Sequence, residues 1–417
     1  MTVPDKPNRW KHVAGIAIAV TLAFLLLNPS GAVRRWIAAT SLEWDEQRRE
    51  AAGPATGRLM LPGESTFDSS DHPDLADALS FITAGFFLPG DGLALVERTE
   101  VHFVDMASAE TSVFGGEGGG PREFRRISRA LRGPESIALW DILRRRVVWL
   151  DHDGDFLRDL SYQGAPFKSP LPPPPVAVHR DGRVVFGDSQ SRAFSDFRGR
   201  TWNPIEYVAV NDEGELEVVA QTRGYEHYYG NDGSGGVLFG HRSLMAASAD
   251  HFVIAETDQE AIQVFRWDGS EVRRIPMPPP ARVSANQLRV AREYMAAMPS
   301  RHAEMLSTVW SEEEMADVDA SPLAMDLWPA NELAPPIDSV FIDFDKRLWM
   351  REYHFTDQDS VTWRVWDLEP ATALFRIRLG ADERLLDARG DVVLLRRTDE
   401  FDVPRAVVSR VVAGNER

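Results

Sequence analysis

Cysteine is absent from the 417 residues of this chain. Its absence excludes a disulfide framework, a thiol nucleophile and a thiolate metal site. It does not identify a compartment, because a chain without cysteine suits an oxidising environment as well as a cytoplasm. The compartment must therefore be inferred from the N-terminal sequence.

Positive charge is also scarce. The chain has 46 Lys and Arg residues against 64 Asp and Glu residues, which gives a formal net charge of -18. Nucleic-acid binding requires a basic surface that neutralises phosphates. This composition therefore predicts no nucleic-acid partner.

Compact catalytic motifs are missing as well. The glycine run 115–120 lacks the Lys-Ser/Thr of a phosphate-binding loop. Residues 151–155 begin like a calcium loop, but no acidic residue completes the twelve-residue frame. Residues 187–191 lack the second glycine of a nucleophile elbow, and no two of the ten histidines have the spacing of a helical zinc site. We interpret the glycine run and the Asp-rich stretch as turns.

The N-terminus is typical of exported proteins. Basic residues precede an uncharged run over 13–27, which is followed by small and helix-breaking residues. Cleavage after Ala32 is one interpretation. The alternative, which we favour, is an uncleaved single-span anchor with Trp10 and Trp36 at its two ends. The charge balance around the run predicts that the N-terminus stays inside and that the rest of the chain lies outside an inner membrane.

The predicted organisation has three parts: a signal or anchor segment over 1–32, a helical stalk over 33–55, and an all-β domain over 56–415. The last part shows short apolar and β-branched runs separated by turns such as Asp153-Gly154. A period of roughly 40–50 residues with four strands per unit indicates a β-propeller. The six predicted units lie near 80–115, 130–165, 174–222, 240–278, 337–380 and 381–413. The segment 56–79 is predicted to supply an outer strand that closes the last blade.

A helical insertion over about 283–318 is predicted between blades four and five. Ser284 and Gln287 have the spacing of a capping box at its start. Four methionines of the insertion suggest either an adaptable partner surface or, more simply, a face that packs on its own domain. They are Met295, Met298, Met305 and Met315.

Two stretches carry a family resemblance. The glycine run leads into Pro121-Arg122-Glu123-Phe124, and the fifth unit opens with residues 347–351, Arg-Leu-Trp-Met-Arg. With six units, the chain resembles the six-bladed β-propeller proteins related to the NHL repeat, although Arg122 replaces the middle glycine of the usual Gly-Pro-Gly-Glu-Phe. The resemblance covers about 56–413. It implies the fold and export, but not one function, because this scaffold carries binding proteins, lactonases and lyases.

The candidate ligand-binding residues are aromatic, basic or acidic side chains near the predicted channel of the propeller. Aromatic rings beside Arg and His suit a ligand with polar and apolar faces. The candidates are Arg122, Glu123, Tyr225, His227, Tyr229, Arg242, Arg351, Tyr353 and His354.

The sequence thus predicts a membrane-tethered, extracytoplasmic propeller that binds a peptide, a protein or a glycan without a cofactor. The alternative is a metal-dependent lactonase-like or lyase-like enzyme, with one divalent cation such as Ca²⁺ in the central channel.

Overall fold

The computed structural model describes residues 58–108, 110–162, 167, 173–189, 197–211, 214–230, 234–296, 328–355, 357–399 and 401–413. The predicted anchor and stalk, and the second part of the predicted insertion, lie outside the described residues. Among the residues described, no helix is long and apolar enough to cross a membrane.

The described residues begin with one strand and one short helix, and successive antiparallel meanders follow. The first elements are β1 (Arg58–Asp68) and α1 (Pro73–Ala78). The first meander has β2 (Ala84–Phe87), β3 (Gly92–Val96), β4 (Glu100–Asp105) and β5 (Thr111–Gly115). The second has β6 (Ile127–Arg132), β7 (Ile137–Asp141), β8 (Arg146–Leu150) and β9 (Phe156–Ser161).

The third sheet has five strands, and the fourth returns to four. The third contains β10 (Pro175–Val178), β11 (Val184–Ser189), β12 (Gly199–Val210), β13 (Leu216–Tyr229) and β14 (Ser234–Gly236). The fourth contains β15 (Ser243–Ala247), β16 (His251–Glu256), β17 (Ala261–Arg266) and β18 (Glu271–Pro276), and α2 (Ala285–Ala296) follows it.

The remaining strands form one eight-stranded sheet. They are β19 (Ile337–Ile342), β20 (Arg347–Glu352), β21 (Ser360–Asp367), β22 (Ala373–Gly380), β23 (Arg384–Arg389), β24 (Val392–Thr398) and β25 (Pro404–Ala413). The eighth strand is β1, in the order β19-β20-β21-β22-β1-β25-β24-β23.

Strand β1 closes this sheet from the other end of the chain. It pairs antiparallel with β25, where Phe67 lies opposite Val408, and parallel with β22, where Leu59 lies opposite Arg376. The prediction that the segment after residue 56 supplies an outer strand to the last unit is therefore confirmed.

Apolar clusters join each sheet to the next around a closed ring. One cluster contains Val148 of the second sheet and Phe103 of the first, and the next contains Trp140 with Phe186 of the third sheet. Comparable clusters continue through the fourth and eight-stranded sheets. The ring closes where Leu394 of β24 packs with Phe87 of β2. A ring of antiparallel sheets that bury their faces against one another is a β-propeller, so the chain has an all-β propeller fold.

The third sheet differs from its predicted form. Its hairpin β12–β13 continues to Tyr229, whereas the predicted unit ends at 222. The register shifts between Asn203 and Ile205, where Gly224 has a φ of 79° and lies against the Asn203 carbonyl oxygen. A glycine tolerates this bulge conformation. The pairing therefore resumes beyond the bulge instead of ending there.

Helix α2 confirms the start of the predicted insertion. The Gln287 side chain accepts a hydrogen bond from the Ser284 backbone N–H, and the Ser284 hydroxyl accepts one from the Gln287 N–H. Its Leu288, Ala291 and Met295 pack on a cluster that contains Leu238, Phe239, Trp328, Ala334 and Phe355. Met295 thus packs on its own domain, and the other three methionines lie outside the described residues.

Candidate functional site

The sheets surround a central cavity of about 1230 Å³. The first strand of each meander lines it, together with β19 and β23 of the eight-stranded sheet: Ala84 on β2, Ala130 on β6, Ala177 on β10, Met245 on β15, Val340 on β19 and Leu385 on β23. We call this cavity the channel. Its volume exceeds the range of about 300–1,000 Å³ that is usual for small-molecule sites, so it can admit part of a larger ligand.

Five arginines line the channel, of which Arg132 pairs with the buried Asp387 carboxylate and the other four lie on β6, β20, β23 and β24. Arg129 lies on β6, Arg351 on β20, Arg384 on β23 and Arg396 on β24. Arg384 and Arg396 are directly opposite each other across the β23–β24 pair. In a chain with a net charge of -18, this convergence of positive charge is a distinct local feature. We call Arg129, Arg351, Arg384 and Arg396 the arginine cluster.

The charges of the arginine cluster act on one another. Burial lowers the pKa of Arg384, and the positive charges of Arg396, Arg351 and Arg129 lower it further. Burial also lowers the pKa of Arg129. Arg129 and Arg384 nevertheless expose surface to solvent. A pKa lowered by burial and an exposed surface occur together in side chains that project into a channel, because the channel walls exclude much of the bulk solvent while the lumen stays accessible.

The carboxylates that line the channel already have partners. Asp338 pairs with Arg351, and Glu383 pairs with Arg397 at 2.7 Å. Asp343 pairs with Arg347 at 2.6 Å and accepts a hydrogen bond from the Trp349 indole N–H at 2.7 Å. Burial raises the pKa of Asp343, while the Arg347 charge opposes this shift.

The fourth channel carboxylate helps to link residues of four strands. Asp387 accepts hydrogen bonds from the Phe87 backbone N–H at 2.9 Å and from Arg132, whose guanidinium also donates to the Ile342 carbonyl at 3.3 Å. Burial raises the pKa of Asp387, and the Arg132 charge opposes the shift. These four residues tie together β2, β6, β19 and β23, and we call them the channel belt.

The described side chains do not fit a divalent cation in the channel. No group of three or more His, Asp and Glu residues in the described ranges could hold a metal ion. Each channel carboxylate instead accepts hydrogen bonds from an arginine. The residues therefore do not support the cation predicted in the enzyme alternative.

Two of the predicted site residues line the channel. They are Arg351 and His354, which share one partner, because the His354 backbone N–H donates to the second carboxylate oxygen of Asp338 at 3.3 Å. Tyr353 lies between them in sequence but packs against Phe239 and Phe355. Burial raises the pKa of its hydroxyl.

The predicted aromatic stretch around His227 lies in a strand. It falls between the predicted units 174–222 and 240–278, but residues 225–229 form the last part of β13 and pair with β12. Asn203 is fully buried and joins two of the rings: its amide donates to the Tyr225 hydroxyl at 3.2 Å, and its carbonyl accepts from the Tyr229 hydroxyl at 3.2 Å. His227 lies between these tyrosines. Both of its ring nitrogens are buried and have no hydrogen-bond partner among the described residues, and burial lowers its pKa.

Arg242 lies beside this stretch. It forms an isolated bridge with Tyr225, and its charge acts on the Tyr353 hydroxyl. The structure thus places the Tyr225 strand, Arg242 and Tyr353 in one neighbourhood. None of these residues lines the channel.

Arg122 and Glu123 belong to the joint between β5 and β6. The Glu123 carboxylate accepts a hydrogen bond from the Gly120 backbone N–H at 2.6 Å, and the Arg122 guanidinium lies over the Phe114 ring at 4.8 Å. Both residues are exposed and neither lines the channel. Their contacts stabilise the joint.

Sequence reasoning missed three members of the arginine cluster. Arg129, Arg384 and Arg396 stand on separate strands, and their convergence requires knowledge of which side of each strand faces the axis. The available signal was an arginine within the first strand of two units, at Arg129 and Arg384.

The ring of sheets and the central channel define the class: this is a β-propeller protein. No protein-family model matches the chain, and no curated protein matches it. The chain is similar to a putative exported protein from Bacteroides fragilis (TM-score 0.41, 10% identity, 86% of this chain and 94% of that one). It is also similar to a member of the DUF4221 family from Bacteroides vulgatus (TM-score 0.43, 10% identity, 86% and 97%).

A third similar structure is the calcium-binding protein regucalcin from Agrobacterium tumefaciens (TM-score 0.36, 10% identity, 86% of this chain and 97% of that one). At these scores the likenesses add nothing to the propeller assignment, which rests on the sheets and clusters described above. The relation to NHL-repeat proteins stays a prediction.

Proposed function

We propose that this chain is a membrane-tethered, extracytoplasmic, six-bladed propeller that binds a peptide, a protein or a glycan in its channel, without catalysis. The observation that carries the proposal is the channel itself, because it is large and is lined from every sheet of the ring.

The sheet pairings support a count of six blades. Strands β19–β22 form one antiparallel meander, and β23–β25 with β1 form another. Among the described strands, only a short parallel pairing of β1 with β22 merges them into one sheet. Counted as two blades, they bring the total to six, which agrees with six apolar clusters between neighbouring blades.

The N-terminal sequence supports the tether and the location. A basic start and an apolar run precede the propeller, and this order is typical of an export signal or anchor. An uncleaved anchor would keep the propeller at the outer face of the inner membrane. Cleavage would instead release it as a periplasmic or secreted protein, and N-terminal sequencing of the mature protein distinguishes the two.

The test is ligand capture with a blocked channel. Full-length protein is purified from its native envelope in detergent, and mass spectrometry identifies what co-purifies. Ser128 lines the channel, so Ser128→Trp is expected to lose the ligand. Ser112 is an exposed residue on β5, so the control Ser112→Trp is expected to keep it.

Two outcomes would overturn the proposal. One is the absence of any co-purifying ligand that Ser128→Trp removes. The other is a stoichiometric divalent ion in the purified protein together with lactone hydrolysis or a lyase reaction, which would favour the enzyme alternative.

A further inference from the structure

We propose that an oxyanion group of the ligand, a carboxylate or a phosphate, binds between Arg129 and Arg384 in the channel. The proposal rests on the proposed function, because it takes the channel as the binding site. It adds the chemical class of the group that is recognised.

The charges of the channel side chains are not balanced. The four channel carboxylates, described above, are each engaged by an arginine. Within the described part of the chain, Arg129 and Arg384 make no ion pair and no side-chain hydrogen bond, and the Arg396 guanidinium donates only to the Ile82 carbonyl at 3.4 Å. The channel therefore holds positive charge that its own acids do not neutralise.

Holding these positive charges in one channel costs free energy. Guanidinium groups stay protonated at neutral pH, so the charges of the arginine cluster repel one another wherever the channel walls reduce screening. Burial, and with it this repulsion, lowers the pKa of Arg384. A folded protein most readily keeps positive charges that lack an internal partner where an external anion binds to them.

The shape and the placement of the two guanidinium groups suit an oxyanion. A planar guanidinium presents paired N–H groups that match the two oxygens of a carboxylate or phosphate. Arg129 and Arg384 start from different sheets and project into one lumen. Trp363 and Val361 line the same cavity, so the anionic group would belong to a ligand that also offers apolar surface.

The test uses thermal unfolding of the full-length protein in detergent at low ionic strength. The probes are citrate, as a source of carboxylates, and inorganic pyrophosphate, as a source of phosphates, each compared with sodium chloride at equal ionic strength. At least one probe is expected to raise the Tm beyond the chloride control, because a ligand that binds the folded state stabilises it. The probe that does so identifies the kind of oxyanion.

The variants are Arg129→Gln and Arg384→Gln, with Arg410→Gln as the control of equal charge change on an exposed arginine. Each channel variant is expected to weaken probe binding by about tenfold or more, and the control is expected to leave it unchanged. Without a probe, Arg384→Gln is expected to have a Tm at or above that of the wild type, because a repulsive charge is removed. A purely structural arginine would show a lower Tm instead.

The proposal is overturned if neither probe exceeds the chloride control, or if both channel variants respond like the wild type. Its failure can be told apart from failure of channel binding. If Ser128→Trp loses the native ligand while both arginine variants retain it with full affinity, channel binding stands and the oxyanion site does not. If the probes bind through the arginines but no native ligand is captured, the oxyanion site stands alone.

Discussion

Replacement of Asp387 by asparagine should destabilise the folded ring at its channel belt. The carboxylate is fully buried and pairs with Arg132, a side chain that is itself only 15% exposed. An amide at this position would leave the guanidinium buried without a counter-charge. Removing one partner of a buried ion pair costs about 3–5 kcal/mol. This is a large part of the free energy of unfolding of a typical domain, which is roughly 5–15 kcal/mol.

A double replacement separates the pair from its surroundings. In Arg132→Met/Asp387→Leu both charges are gone, and the main remaining cost is the Phe87 backbone N–H, which loses its acceptor. One buried unsatisfied donor costs about 1–3 kcal/mol. The double variant should therefore be no less stable than Asp387→Asn alone, and the two single changes should be strongly non-additive.

The assay is denaturant unfolding of the full-length protein, followed by tryptophan fluorescence, with the midpoint and the slope compared across the variants. The control is Asp391→Asn, because Asp391 is 68% exposed and lies 3.4 Å from Arg410. A surface pair of this kind contributes about 0–1 kcal/mol. If Asp387→Asn costs no more than the control, the belt does not stabilise the ring as argued.

Three further predictions concern single buried groups. Trp349→Phe should cost about 1.5–3 kcal/mol, because it removes an indole hydrogen bond to the buried Asp343 carboxylate; denaturant unfolding measures it. His227→Phe should make the folded protein lose less stability at acid pH than the wild type does. Burial lowers the folded pKa of His227, so the stability contributed by its neutral form is present above the unfolded value of about 6.5 and is lost as the pH falls from there toward the folded value; midpoints measured across this pH range test it. Gly224→Ala should cost more than about 2 kcal/mol, since its φ is 79° and a Cβ would overlap the Asn203 carbonyl; its unfolding midpoint is the measurement.

Each of these predictions has a matched control. Trp149→Phe removes an indole hydrogen bond to a neutral carbonyl, that of Gly182 at 3.0 Å, so it should cost only about 0.5–1.5 kcal/mol; equal costs for both tryptophans would contradict the role of the charged acceptor. His227→Gln should be less stable than His227→Phe at every pH, yet equally free of the acid step; an acid step that persists in both would exclude His227 as its source. Gly236→Ala meets open space and should be nearly neutral, so a comparable loss there would contradict the steric argument.

Much of the propeller was predictable because residues that are adjacent in sequence determine its turns. Gly154 and Gly182 follow aspartates and have φ values of 90° and 86°, as tight turns between strands require. The capping box at Ser284 was likewise readable, since both partners lie within one helical turn. Such signals need no knowledge of distant contacts.

The site was far less predictable. Helix α1 and the extension of β13 beyond Gly224 were missed, because tertiary packing and one bulge decide them. The arginine cluster was missed for a related reason. Arg129 and Arg384 are 255 positions apart in sequence, and only the closed ring brings them to one lumen. His354 lines the channel, and its backbone is held there by Asp338, which sequence reasoning did not select.

Closure by β1 also sets an order of events during synthesis. The strand that completes the last sheet is made first, but its partner is made last, since Ser65 contacts Val408 across 343 positions. Strand β1 therefore cannot pair with β25 until that strand has been synthesised. Contacts of this sequence separation slow folding. A nascent chain that stalls before residue 404 would retain most of its sheets but would lack β25, the strand that joins β1 to β24.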